Sequence, residues 1–410
     1  MSRVAMKIAV VAPTAPPHGA GGVTSSHYQL YRLLRERGLD ATLLTFDERE
    51  RHIPDPEILR FGASRRERSL LALCSALYLK SQGSKRLAYH LADILCAVPG
   101  VLRMNRALRR LGPDRIIIPD HCAPGLFLDQ GHARVTMVAH HNPARFMATP
   151  LIGDFCPIDV QRAVALEQRV LRKVDGVVAP SAYMERVFRE TFRFDGPVTT
   201  IHNPLDAAFV ERVPARDPRP EMGLPAHAPV VYIPSAGSVL KGARFVADIV
   251  GRVGRGCPGA IGFYLSGAIP PELSRELLAL PDNVRILAPG HVDNEVNVAY
   301  LKSCSFGISP TLIENFSMAI LEAVFCGLPM AVFAVGGNAE IVSDGVNGFC
   351  VPCPDVAALT DAAARLLDPA TCQEMGHNAL RMARERFSAA AVVDRYLDFC
   401  GCQAPPAARS

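Results

Sequence analysis

A chain of 410 residues is too long for one compact core and suits two domains of roughly 150 to 200 residues each. With 49% apolar and 20% charged residues the composition is that of a folded protein and excludes a largely disordered chain. The net charge of +4 hides an asymmetry: residues 1–200 carry 28 Lys+Arg against 19 Asp+Glu, and the remainder 16 against 21. A half of net +9 suits an anionic membrane or a phosphorylated acceptor, or is simply a solvated Arg-rich face, and nucleic acid is not expected as a partner.

The N-terminus enters MKIAVVAP without the apolar region or the cleavage site of a signal peptide, and no run of about 18 uncharged apolar residues follows. The chain is therefore read as cytoplasmic, with the inner face of the membrane as a second place for it. Lys7 to Ala12 is a buried-type strand, the loop PTAPPHGAGG follows, and a helical pattern from about Val23 to Arg37 stops at Gly38. Ala41–Thr45, Arg115–Ile118, Val135–Ala139, Gly176–Ala179 and Val198–Ile201 are further short apolar runs bounded by turn residues. Between Phe61 and Leu111 the sequence is helical, with Arg and Lys among Leu, Ala and Tyr; of a membrane-surface patch and helices packed on the sheet, the second is expected.

The proline- and charge-rich ERVPARDPRPEMGLPAHAP marks a boundary, after which a second series of strands begins: Val230–Ile233, Ile261–Leu265, Val284–Leu287, Phe306–Ser309, Met330–Phe333 and Phe349–Val351. A last helix, about Ala389 to Phe399, is too isolated to make a core of its own and must pack on something already built. Short apolar strands alternating with helices mean two α/β domains, each a parallel, doubly wound sheet. The twelve cysteines are scattered, mostly in apolar segments, so free thiols are expected. The Cys350-x-x-Cys353 pair lacks the further ligands that zinc needs, and no metal is assigned.

Ligands of parallel sheets bind beyond the carboxyl ends of the strands. The loops there are PTAPPHGAGG, SAGSVLKG, SPTLIENFS and AVGGNAE, whose glycines let backbone amides approach an anion. A helix starting near Ser317 puts Glu314 in the preceding loop and Glu322 in its second turn. Carboxylates at both ends of an amide-rich helix start fit a ligand with hydroxyls at its ends and phosphates between, as in a nucleotide-sugar. The bland alternative is a helix-start acid and a solvated residue.

These residues resemble glycosyltransferase family 4, marked by two glutamates separated by seven residues and followed by Ala and Gly-x-Pro; here they are Glu314, Glu322, Ala323 and Gly327-Leu328-Pro329. Gly21-Gly22-Val23 resembles the family's glycine pair, Val174-Asp175-Gly176 through Pro180-Ser181 its strand end, and Asn203-Pro204-Leu205-Asp206 its domain-closing segment with Pro in place of Gly. Lys241-Gly242 resembles its Lys-Gly pair, and Gly336-Gly337-Asn338-Ala339-Glu340-Ile341 its Gly-Gly-x-Pro-Glu-Ile with Ala in place of Pro.

The resemblance implies a GT-B fold: two Rossmann-like domains, residues 1–205 and 206–386, facing across a cleft, with 387–410 packing back toward the first. It implies a retaining transferase moving a sugar from a nucleotide-diphosphate-sugar to a glycan, lipid-linked or small-molecule acceptor, without metal or other cofactor. Lys241 and the amides near Gly21 and Gly22 would neutralise the diphosphate, Glu322 hold the ribose, and Glu314 with the Asn315, Phe316 and Ser317 backbone hold the sugar and distal phosphate. A strand-end histidine near the sugar would be His141, with His140 the alternative. The acceptor would sit on the first domain, where Phe61 to Leu111 and His121 to Pro124 offer contacts.

One departure stands out. The family's Arg, five residues before the Lys, is Ala236 here, which removes a bidentate phosphate partner; Ser235, Gly237 and Ser238 can offer amides and hydroxyls, and Arg244 is near in sequence. The competing readings are a non-catalytic nucleotide-sugar-binding member or partner subunit, and a hydrolysing nucleotide-sugar epimerase.

Overall fold

In the computed structural model, which describes residues 6–17, 21–49, 57–83 and 88–401, the chain divides into two compact units, one of residues up to Pro204 joined by the stretch from Ala389, the other Leu205–Ser388. Residues 18–20 of the first glycine-rich loop and 84–87 of the helical stretch lie outside the described residues.

The first unit is a seven-stranded, all-parallel sheet of β1 (Lys7–Ala12), β2 (Asp40–Thr45), β3 (Ile58–Leu59), β4 (Arg115–Pro119), β5 (Arg134–Val138), β6 (Gly176–Ala179) and β7 (Val198–Thr200), in spatial order β3-β2-β1-β4-β5-β6-β7. Ile8, Val10 and Ala12 face one apolar layer and Ala9 and Val11 the other, so both sheet faces are buried. That is why its strands read as continuous apolar runs. The helices used below are α1 (Gly22–Glu36), α2 (Arg65–Ser81), α3 (His90–Leu111) and α4 (Pro157–Val170). Two corrections to the sequence reading arise here: β3, only two residues long, gave no pattern, and α2 packs on α3 rather than on the sheet, burying only Ser75 and Leu79.

A buried ion pair ties the edge of this sheet to the loop after β1. Arg60 donates to Glu48 Oε1 at 2.7 Å with both side chains almost wholly buried, and the same oxygen takes the Ala15 amide at 2.9 Å. Arg60 also donates to the carbonyls of Ala15 and Pro16.

The second unit has six parallel strands, β8 (Val230–Ile233), β9 (Ile261–Ser266), β10 (Val284–Gly290), β11 (Phe306–Ser309), β12 (Met330–Phe333) and β13 (Gly348–Val351), in order β10-β9-β8-β11-β12-β13. Val230 and Tyr232 face one core, Val231 and Ile233 the other. The chain direction across the sheet reverses between β8 and β11, the switch point at which doubly wound sheets hold their ligands. Helix α5 (Met318–Phe325) follows β11. Helix α6 (Ala389–Cys400) belongs to the first unit, where it packs on α1 and buries Val392, Val393, Tyr396 and Leu397.

Candidate active site

At the β8/β11 switch point three loops converge. The loop after β8 turns sharply: Ser238 accepts the amides of Lys241 and Ala243 at 2.9 and 3.1 Å. It is tied to the loop after β11 by the Leu312 amide, which donates to the Leu240 carbonyl at 3.0 Å. Across this seam Lys241 Nζ donates to Glu314 Oε2 at 2.6 Å, with Glu314 buried and the lysine partly open. Glu314 Oε1 takes the Asn315 amide at 3.0 Å, which fixes the carboxylate from its other side.

The third loop follows β12. Gly337 donates to the Asn315 carbonyl at 2.9 Å, and Gly336 lies at φ +59, where a Cβ would stand 2.0 Å from the Glu314 carbonyl oxygen. Only glycine fits this approach. The Gly-Gly pair read from the sequence therefore holds the Glu314 loop in place.

Ser317 caps α5, its hydroxyl accepting the Ile320 amide at 3.4 Å. Ser317→Ala should cost about 1 kcal/mol of stability, the usual worth of an N-cap, read as a Tm lowered by a few degrees. The Phe316 ring is buried 5.5 Å from Phe387, and its amide donates to Asn315 Oδ1 at 2.9 Å. Glu322 sits in the second turn of α5 and is 7% exposed. Burial pushes its carboxyl up to about 7, against a hydrogen bond from Asn294 that lowers it.

Ala236 explains how the missing arginine is accommodated. Its side chain is fully buried in the apolar layer with Val231, Ile233 and Val246, and its amide donates to the Ser266 carbonyl at 3.0 Å. This part of the loop is built around a small apolar residue.

The remaining candidates lie in the first unit. Gly21 caps α1 at φ 105, a conformation reserved for glycine, and Gly22 opens the helix; both are exposed with open space around their Cα atoms. His140 and His141 follow β5 and part company. His140 is buried with its ring 5.3 Å from that of His27. His141 stays partly open, held by Asp120, whose carboxylate takes the amides of His140, His141 and Asn142.

Around His141 the fold gathers Glu167, which the sequence reading missed, with His90 and His121 from the two stretches read as offering acceptor contacts. Glu167 of α4 places Oε1 3.7 Å from His141 Nδ1, while the rings of His90 and His121 lie 5.1 and 4.9 Å from it. These four line a small pocket with Asp93 and Cys122. Burial holds His90, His121 and His141 near 3, so all three are neutral at pH 7, and it raises Glu167 well above the usual carboxylate range. Among the described residues no group of three or more His, Cys, Asp or Glu is arranged to hold a metal ion.

Comparison with known proteins gives these geometries a family. A family model described as Glycosyltransferase Family 4 matches residues 20–209, and one described as Glycosyl transferases group 1 matches residues 229–369. The chain belongs to glycosyltransferase family 4. This family 4 chain is 27% identical over 311 residues to a glycogen synthase of Mycobacterium tuberculosis, covering 70% of the chain and 69% of that protein. It shares its fold with sucrose-phosphate synthase of Thermosynechococcus elongatus at a TM-score of 0.72 and 19% identity, over 96% of this chain and 98% of that one. It does so also with HepE of Anabaena, solved in complex with UDP-glucose, at a TM-score of 0.67 and 19% identity over 97% and 99% of the two chains. The fold is GT-B, and the chain is a glycosyltransferase.

Proposed function

We propose that this family 4 transferase moves a hexosyl group from a nucleotide-diphosphate-sugar to an acceptor hydroxyl with retention of anomeric configuration and without a metal ion. The observation that carries the reading is the Lys241–Glu314 contact beside the start of α5, with the buried Glu322 in the second turn of that helix. Lys241 and the helix start supply positive charge to the diphosphate, Glu314 accepts sugar hydroxyls, and Glu322 accepts the ribose diol.

In the transfer step the bond from the anomeric carbon to the leaving phosphate oxygen breaks through an oxocarbenium-like state. The acceptor oxygen bonds to the same face of that carbon, and its proton passes to the departing phosphate. Lys241 stabilises the charge that builds there. In this scheme His141, neutral, hydrogen-bonds the transferred sugar. The acceptor is a hydroxyl of a glycan, a lipid-linked sugar or a small molecule.

The buried Ala236 favours one second reading, a family member that binds the donor without turnover. A thermal-shift screen with UDP-, GDP- and ADP-sugars, followed by an assay for nucleotide release, tests both. Donor at about a hundred times its Kd should add roughly 2.7 kcal/mol of stability. No stabilisation by any donor would sink both readings, whereas stabilisation without release would select the second.

A further inference from the structure

The outward face of α2 is unlike an ordinary solvated helix surface. Leu70, Leu73 and Leu77 recur at three- and four-residue spacing and are 61%, 55% and 58% exposed. Arg66 stands one turn before them and Lys80 one turn after, so the five side chains form one stripe. The helix's one acid, Glu67, lies off this stripe, taking up the Ser64 amide and Arg103. Beside α2, helix α3 exposes Leu102, at 52%, together with Arg106 and Arg110. Arg65, Arg66, Lys80, Arg106 and Arg110 make no ion pair among the described residues.

We propose that this stripe docks the protein on an anionic lipid surface, the leucines entering the acyl boundary and the flanking bases meeting lipid phosphates. The charge pattern chooses the occupant. A second copy related by a two-fold axis would lay a stripe free of acids on itself and bring bases against bases. A bilayer interface offers apolar depth to the leucines and negative charge to the bases at once. No helix among the described residues is long and apolar enough to cross a membrane, so the contact is one of lying on the surface.

The test is flotation of the full chain with phosphatidylglycerol/phosphatidylethanolamine vesicles and with phosphatidylcholine vesicles, independently of any transfer activity. The protein should float with the anionic vesicles and bind the zwitterionic ones about tenfold more weakly or less. Leu70→Ser, Leu73→Ser and Leu77→Ser together should weaken anionic-vesicle binding by about tenfold or more. Arg66→Glu with Lys80→Glu should abolish the preference for anionic lipid. All these side chains are exposed, so each variant should unfold within a few degrees of the parent. Parent protein that stays off both vesicle types, a triple-serine variant that binds as the parent does, or a dimer that the serines dissolve while vesicles retain nothing would each overturn the proposal.

Discussion

Lys241→Met is expected to slow sugar transfer by about 10²- to 10³-fold, the scale on which a single preorganised charge at a developing oxyanion acts. The residue has two duties that the variant separates. In the free protein its ammonium sits 2.6 Å from Glu314 Oε2 and neutralises a carboxylate with little access to water. Removing it takes the Lys241 ammonium away from Glu314 Oε2, while the Asn315 amide still donates to Oε1. Because the lysine side chain is itself 30% exposed, the stability loss is discounted from the 3–5 kcal/mol of a fully buried pair to about 1–2 kcal/mol.

When donor arrives, the same ammonium faces phosphate as well. Its charge is then held in place before the leaving group departs and needs no reorganisation during the reaction. Lys241→Arg keeps the charge but replaces a compact donor with a planar fork, and should recover only part of the rate. The measurements are thermal unfolding without ligand, donor affinity by calorimetry and single-turnover transfer. A Met variant that keeps transfer within about threefold of the parent would remove Lys241 from the chemistry, whatever it does to stability.

How far the sequence revealed this site depends on how local its parts are. Glu314 and Glu322 sit on one loop and one helix, and the Ser317 cap lies between them, so their spacing alone placed them at the two ends of a helix start. The strands were legible because a sheet buried on both faces leaves uninterrupted apolar runs, as Val230–Ile233 and Met330–Phe333 show. β3 was not, because Ile58–Leu59 is too short for any period to register.

Contacts between distant segments were a different matter. The Lys241–Glu314 bond spans 73 residues; the family resemblance assigned both residues to the donor but gave no contact between them. His90, His121 and Glu167 reach His141 from α3, the end of β4 and α4, and nothing in their local sequence announces it. A lone Glu among AVALEQRV reads as a solvated helix position until the fold closes over it. Ala236 was legible as a substitution but not as a packing choice, since only the structure turns its methyl into the apolar layer.

Glu322→Gln should move ligand binding and stability in opposite directions, with a pH dependence that identifies the carboxyl. Burial raises the carboxyl of Glu322 to about 7 in the folded protein from 4.5. Since the folded value lies above the unfolded one, the favourable contribution of this group is complete below about pH 4.5 and is lost as pH rises through about 7. Above that the free protein carries an ionised, buried carboxylate at a cost of roughly 3 kcal/mol. Gln cannot ionise, so the variant should unfold at a higher temperature than the parent at pH 8 and at a similar one at pH 5.

Donor binding should run the other way. The ionised carboxylate accepts both hydrogen bonds of a ribose diol, whereas the protonated form accepts poorly and must place its own proton. Parent affinity should therefore fall as pH drops below about 7, approaching tenfold per pH unit. The Gln variant should bind about tenfold or more weakly at pH 8, since hydrogen bonds to a charged group contribute roughly 1.5–3 kcal/mol, and its affinity should hardly change with pH. Calorimetry at three pH values, paired with thermal unfolding at the same values, reads both slopes. Unchanged donor affinity in the variant would separate Glu322 from the ribose. A carboxylate that costs stability when the site is empty and accepts hydrogen bonds when it is filled is best accounted for by the ligand, because its free-state energetics alone favour its replacement.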